Sequence, residues 1–221
     1  MKRVFPFLIV LIIFSCNEPQ NDSLNKQEAH FNEDSNTVSF SKQTEQSYSI
    51  DYIRSMTIRH TDTLDMTLVN AEKLKDIPKE FIEKYISPNE VKMGFDKYLN
   101  TEYPEAFKFY QFKEFNEFYL FTFIYEDETC CRWIYGCTLN KDSFNVINIG
   151  VLAYSGADGN WTGKKYGRWF NESGIELTQV SYYSPEDDSN SEFDTTWVEI
   201  QLEDNGLFNY IEHHSVKYIG N

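Results

Sequence analysis

Proline and glycine are scarce in this chain, at six and ten residues in 221, and cysteine is rarer still at four. Such a composition excludes collagen-like and Pro/Gly-rich low-complexity chains, and a small domain stapled by many disulfides. Positive charge is also short. Twenty Lys and Arg face 35 Asp and Glu, for a formal net charge of −15. A surface of that sign repels nucleic acid and anionic lipid headgroups, so nucleic acid is not an expected partner. No apolar run reaches the roughly 20 residues a bilayer-spanning helix needs. There is no CxxC pair, no G-x-G fingerprint, and no repeat of solenoid or propeller period. Aromatic residues, by contrast, make up 17% of the chain, enough ring surface to fill a core or to line a sugar-binding face.

The start of the chain reads as an address. Lys2 and Arg3 are followed by an apolar run from Val4 to Phe14, then Ser15 and Cys16. A charged start, a short apolar stretch and a small residue at the cut describe a secretory signal peptide over residues 1–15. Ile13-Phe14-Ser15-Cys16 resembles the lipobox of bacterial envelope lipoproteins. In that family the cysteine receives a diacylglycerol thioether and palmitate-type acyl chains. The resemblance implies lipidation of Cys16, a lipid bilayer as its partner, and a place in the cell envelope. Asn17 rather than Asp after the cysteine implies the outer membrane. Several acyl chains hold stably where one binds only marginally. Loss of Lys2 and Arg3 with the leader takes the net charge from −15 to −17.

From Asn17 to about Ser47 the residues are mostly Asn, Gln, Glu, Asp, Ser and Lys. They lack the apolar density to offset the entropy of ordering, so 16–47 reads as the lipidated cysteine and a disordered polar tether. Residues 48–221 read as a single β-rich domain. Ile50–Ile58 and Leu64–Val69 read as strands. Pro78 opens a helix whose Phe81, Ile82, Tyr85 and Ile86 recur at helical spacing, and Val91–Leu99 reads as a second short one. Beyond it, β-branched and aromatic runs are broken by Asn, Asp and Gly: 107–115, 118–125, 130–139, 144–154, 166–170, 175–183, 195–202 and 207–219. That pattern is a β-meander. The fold class is α+β, mainly β: an antiparallel sheet with one or two short covering helices.

Cys130, Cys131 and Cys137 are odd in number. On one extended strand Cys131 and Cys137 stand about 20 Å apart, too far to bridge. Cys130 and Cys131 point to opposite faces of such a strand, so all three read as buried free thiols. For chemistry, residues 155–165 form the most unusual stretch, read as a flexible glycine-rich loop. Asp158, Asn160, Trp161 and Lys164, with Arg168 beyond, place a ring, polar groups and cations together, and so form a candidate ligand site for a sugar or an acidic ligand. The acidic stretch 186–192 lacks EF-hand spacing and reads as a solvated loop. His213 and His214, adjacent on a strand, face opposite ways and cannot share a metal. No catalytic residue, metal set or cofactor is expected. The expected function is a membrane-anchored, non-catalytic binding or scaffolding domain that meets an envelope protein or glycan. A glycan-binding protein through Trp161, Trp169 or Trp197, or a polysaccharide hydrolase, is the alternative.

Overall fold

The alternation of apolar and polar residues after Ala106 is realised as strands throughout. The computed structural model describes residues 48–58, 60–89, 99–185 and 191–220. The leader, Cys16, the tether, the 91–98 part of the second expected helix and residues 186–190 of the acidic stretch lie outside the described residues. Eight strands form one antiparallel sheet in sequence order: β2 (Phe107–Glu114), β3 (Phe118–Glu126), β4 (Cys131–Asn140), β5 (Val146–Asp158), β6 (Trp161–Trp169), β7 (Gly174–Tyr183), β8 (Glu192–Leu202) and β9 (Phe208–Ile219). A two-residue strand, β1 (Thr63–Leu64), adds to β6. The protein is mostly β, and its helices are few and short.

Two segments expected as strands differ. Ile50–Met56 is a helix, α1: Ser49 caps it through a hydroxyl that accepts from the Tyr52 N–H at 3.2 Å. Asp51 in its first turn and Arg54 in its last suit the helix dipole. The Ile and Tyr residues favour strand by propensity, but burial of Ile53 and packing of the Tyr52 ring 6.1 Å from Phe109 outweigh that weak preference. Of Leu64–Val69, only Leu64 is strand. Asp65 accepts from the Thr67 N–H and hydroxyl at 2.9 and 2.7 Å, bending Met66–Leu68 into a 3₁₀ turn. The helix after Pro78 is present as α2, Lys79–Phe81, continued by a π turn over Ile82–Ile86. Its Phe81, Ile82, Tyr85 and Ile86 are all buried.

The sheet is covered differently on its two faces. On one, α1, α2 and Tyr48 pack over Phe109, Phe121, Phe123 and Tyr135. On the other the sheet coils back upon itself, bringing Leu202 and Phe208 near its end into one cluster with Phe118 and Leu120 near its start and Leu152 of β5. β3 is therefore apolar toward both sides, as its sequence indicates. Gly136 and Gly150 stand opposite each other on β4 and β5. A β-carbon at Gly136 would lie 3.0 Å from the Phe208 ring, and one at Gly150 would lie 2.3 Å from the Tyr210 hydroxyl. The two absent side chains make the slot that β9 fills.

The cysteine expectation is overturned. Cys130 and Cys131 form a disulfide, and only Cys137 is a free, buried thiol among the described residues. The opposite-faces rule applies to a continuous strand, and β4 begins at Cys131. Cys130 belongs to the preceding turn, where Asp127 accepts from the Thr129 N–H at 2.8 Å and its own N–H reaches the Cys131 carbonyl. No helix among the described residues is long and apolar enough to cross a membrane.

Candidate functional site

The stretch 155–165 is a hairpin rather than a loop. β5 and β6 pair through Asp158↔Trp161 across a Gly159-Asn160 turn, with Gly159 at a φ of 54°. A positive φ at the first turn position is what glycine supplies without strain. The pairing disperses the residues expected to act together. Asp158 is exposed at the end of β5 and Asn160 sits in the turn. The Trp161 ring lies across Gly163 and stacks on Tyr154 at 6.4 Å. Lys164 reaches Asp65 at 2.9 Å. Of the five, Arg168 alone lines the groove described next.

That groove, of about 580 Å³, lies open on the β6–β9 part of the sheet. Two neighbouring cross-strand rows build it. The first runs Thr63, Arg168, Glu176, Glu199, each opposite the next on β1, β6, β7 and β8. His213 of β9 closes this row, with Nε2 2.9 Å from a Glu199 carboxylate oxygen. The second runs Tyr166, Thr178, Trp197, His214. Residues two apart on a strand share a face, so the charged row and the aromatic row stand side by side.

Adjacent His213 and His214 both serve this face, against the expectation for a regular strand. Between Trp197 and Val198 the register slips: Trp197 opposes His214 and Val198 opposes Glu212. His213 is the extra residue of a β-bulge, which re-aims it. His214 stacks on Trp197 with centroids 5.6 Å apart and planes 14° apart. Trp197 nonetheless keeps 40% of its surface exposed, and Phe170 at the groove's end keeps 46%.

Both carboxylates of the charged row are bonded. Arg168 Nε donates to Glu176 at 2.5 Å. Glu199 accepts from the Gln201 side-chain amide and from His213, and these two contacts hold its carboxyl below the usual carboxylate range. Of the other tryptophans, Trp169 is buried beneath Lys113, whose Nζ lies 4.2 Å above its ring, and cannot face a ligand. Among the described residues no three His, Cys, Asp or Glu side chains converge as a metal-ligand set. No single segment carries the groove: Trp197 and Arg168 are legible as candidates in the sequence, whereas Glu176, Glu199 and His213 join them only through sheet register.

No family model, curated protein or solved structure matches this chain.

Proposed function

We propose that the protein is a lipid-anchored envelope lipoprotein whose β-domain binds a ligand without catalysis, and that the ligand is a glycan lying on the Trp197 face. The observation that carries the binding reading is the pairing of an exposed, oriented indole with a row of hydrogen-bonded charged side chains in an open groove. An aromatic ring beside fixed donors and acceptors is the usual means of holding a sugar. The hydrolase reading is the weaker one. A glycosidase needs a pair of carboxyls free to act on the sugar, whereas Glu176 is tied to Arg168 and Glu199 to Gln201 and His213. The anchor rests on Ile13-Phe14-Ser15-Cys16.

Two experiments test these two halves. Fractionation of cells should find the protein in membranes and the Cys16→Ser variant released; equal retention of both would remove the anchor. A glycan array with the full-length protein should give signals that Trp197→Ala abolishes while Trp161→Ala leaves them in place. An array blank for the unaltered protein, or chain shortening of a bound polysaccharide, would overturn the non-catalytic glycan-binding reading.

A further inference from the structure

The two edges of the sheet are treated differently. The outer edge of β2 is covered: Ile58 N–H donates to the Tyr110 carbonyl at 2.7 Å, Ile77 N–H to Phe107 at 3.0 Å, and Phe109 N–H to Lys75 at 2.9 Å. Along the outer edge of β9 no segment among the described residues pairs. Of the usual guards of a free edge, this strand carries no proline and a single lysine, and its one irregularity is the bulge at His213. Its exposed large hydrophobics include Tyr210, Ile211, Tyr218 and Ile219, the last two at 64% and 60%.

The bulge at His213 decides what can pair there. In a regular strand, residues of one odd–even set share a face and a hydrogen-bonding direction. The register slip reverses that set midway. Tyr210 and Glu212 before the bulge belong with Ser215, Lys217 and Ile219 after it, while Ile211 belongs with His214, Val216 and Tyr218. Two copies of β9 can pair antiparallel about a twofold axis only when each residue meets one of its own set. Placing the axis at Ser215, opposite its own counterpart, satisfies this from Tyr210 to Ile219, with the bulge residue His213 left over in each copy. Lys217 then stands opposite Glu212 of the second copy, Tyr218 opposite Ile211, Ile219 opposite Tyr210, and Val216 opposite His214. Each of these four pairs occurs twice. Moving the register so that Glu212 meets Ser215 also keeps the sets, but it sets Lys217 against Tyr210 and loses both ion pairs. Glu212 makes no ion pair within its own chain among the described residues, whereas Lys217 leans on Glu192 at 2.7 Å and can serve both carboxylates.

We propose that β9 is a self-docking edge: two copies of this chain join through antiparallel β9–β9 pairing centred on Ser215, fixed in register by Glu212–Lys217 ion pairs and the Ile211–Tyr218 and Tyr210–Ile219 contacts. Overall repulsion between two acidic chains does not prevent it, because exposed charges more than about 8–10 Å apart are largely screened at physiological salt. The pairing is isologous and closes on itself, so it makes a dimer and not a fibre.

The test uses the purified full-length protein in detergent under mild oxidation. Directly opposed residues of an antiparallel pair have Cα atoms roughly 4.5–5.5 Å apart, within disulfide range. Ser215→Cys should therefore give covalent dimer on non-reducing gels, on the order of tenfold more than Ser181→Cys in the interior strand β7, because the thiols are held together rather than meeting by collision. Glu212→Lys in the Ser215→Cys background should suppress the dimer, and adding Lys217→Glu should restore it. Equal cross-linking of Ser215→Cys and Ser181→Cys, or suppression by Glu212→Lys that Lys217→Glu fails to reverse, would overturn the proposal.

Discussion

Glu176 and Glu199 stand directly opposite each other on neighbouring strands, two carboxylates in one cross-strand pair. Like charges so placed destabilise a sheet. Here Arg168 forms an ion pair with the first and His213 a hydrogen bond with the second, so four residues from four strands make one bonded row. Removing the guanidinium should expose the repulsion. Arg168→Ala is expected to lower the melting temperature by up to about 4 °C, and Glu176→Gln added to it should recover most of the loss. Thermal unfolding followed by circular dichroism measures both, and failure of the second substitution to compensate would mean that the row is not electrically coupled.

The same row has a pH signature. Glu199 is depressed by its contacts with Gln201 and His213 below the ordinary value near 4.5. A depressed carboxyl adds stability that is whole above the ordinary range and is lost as the pH falls through the folded value. The unaltered protein should therefore lose more stability between about pH 6 and pH 3 than Glu199→Gln does. Parallel loss in the two would remove this role for Glu199.

Lys165 works in the opposite direction. It is 8% exposed, its amine lies 5.6 Å from the centre of the Tyr210 ring, and no carboxylate pairs with it among the described residues. Burial pushes its pKa from 10.5 down to about 8. Below the folded value both states are protonated and the full cost of the buried charge is present. Between about 8 and 10.5 the unfolded chain binds more protons, so stability rises with pH. Lys165→Met should stabilise the protein at neutral pH by at most about 3 kcal/mol and flatten that rise. Denaturant titrations at pH values either side of the window decide it.

Gly150 is needed for closeness. Any β-carbon there meets the Tyr210 hydroxyl at 2.3 Å and the Phe208 ring at 3.0 Å. The hydroxyl tip of Tyr210 is the enclosed part, while 43% of the whole residue remains open. Gly150→Ala should cost about 1–3 kcal/mol, the usual range for overpacking. Tyr210→Phe, which deletes the obstructing oxygen, should relieve part of that in the double variant. Additive losses measured by denaturant unfolding would contradict the contact.

The course of the sheet was readable from the residues alone because its signals are local. Asn116-Glu117 between two aromatic runs and Asp204-Asn205-Gly206 between two alternating ones mark hairpins whatever else the chain does. Val198, Ile200 and Leu202 declare the face that meets the core. Phe81, Ile82, Tyr85 and Ile86 do the same for the helix after Pro78. The 155–165 hairpin had its own marker in Gly159-Asn160, a recognised two-residue turn pair, masked by the richness of polar groups around it. Tertiary structure decided the rest. Ile50–Met56 is helical because Ile53 finds a core to enter, a gain that strand propensity cannot express. Cys130 bonds to Cys131 because a turn ends where the strand begins. The groove, finally, depends on register. Arg168, Glu176, Glu199 and Trp197 are brought together by backbone pairing between strands, and a slip of one residue sends each side chain to the other face. Local pattern sets where a strand runs and which way it points, but only the packed sheet determines which residues become neighbours across it.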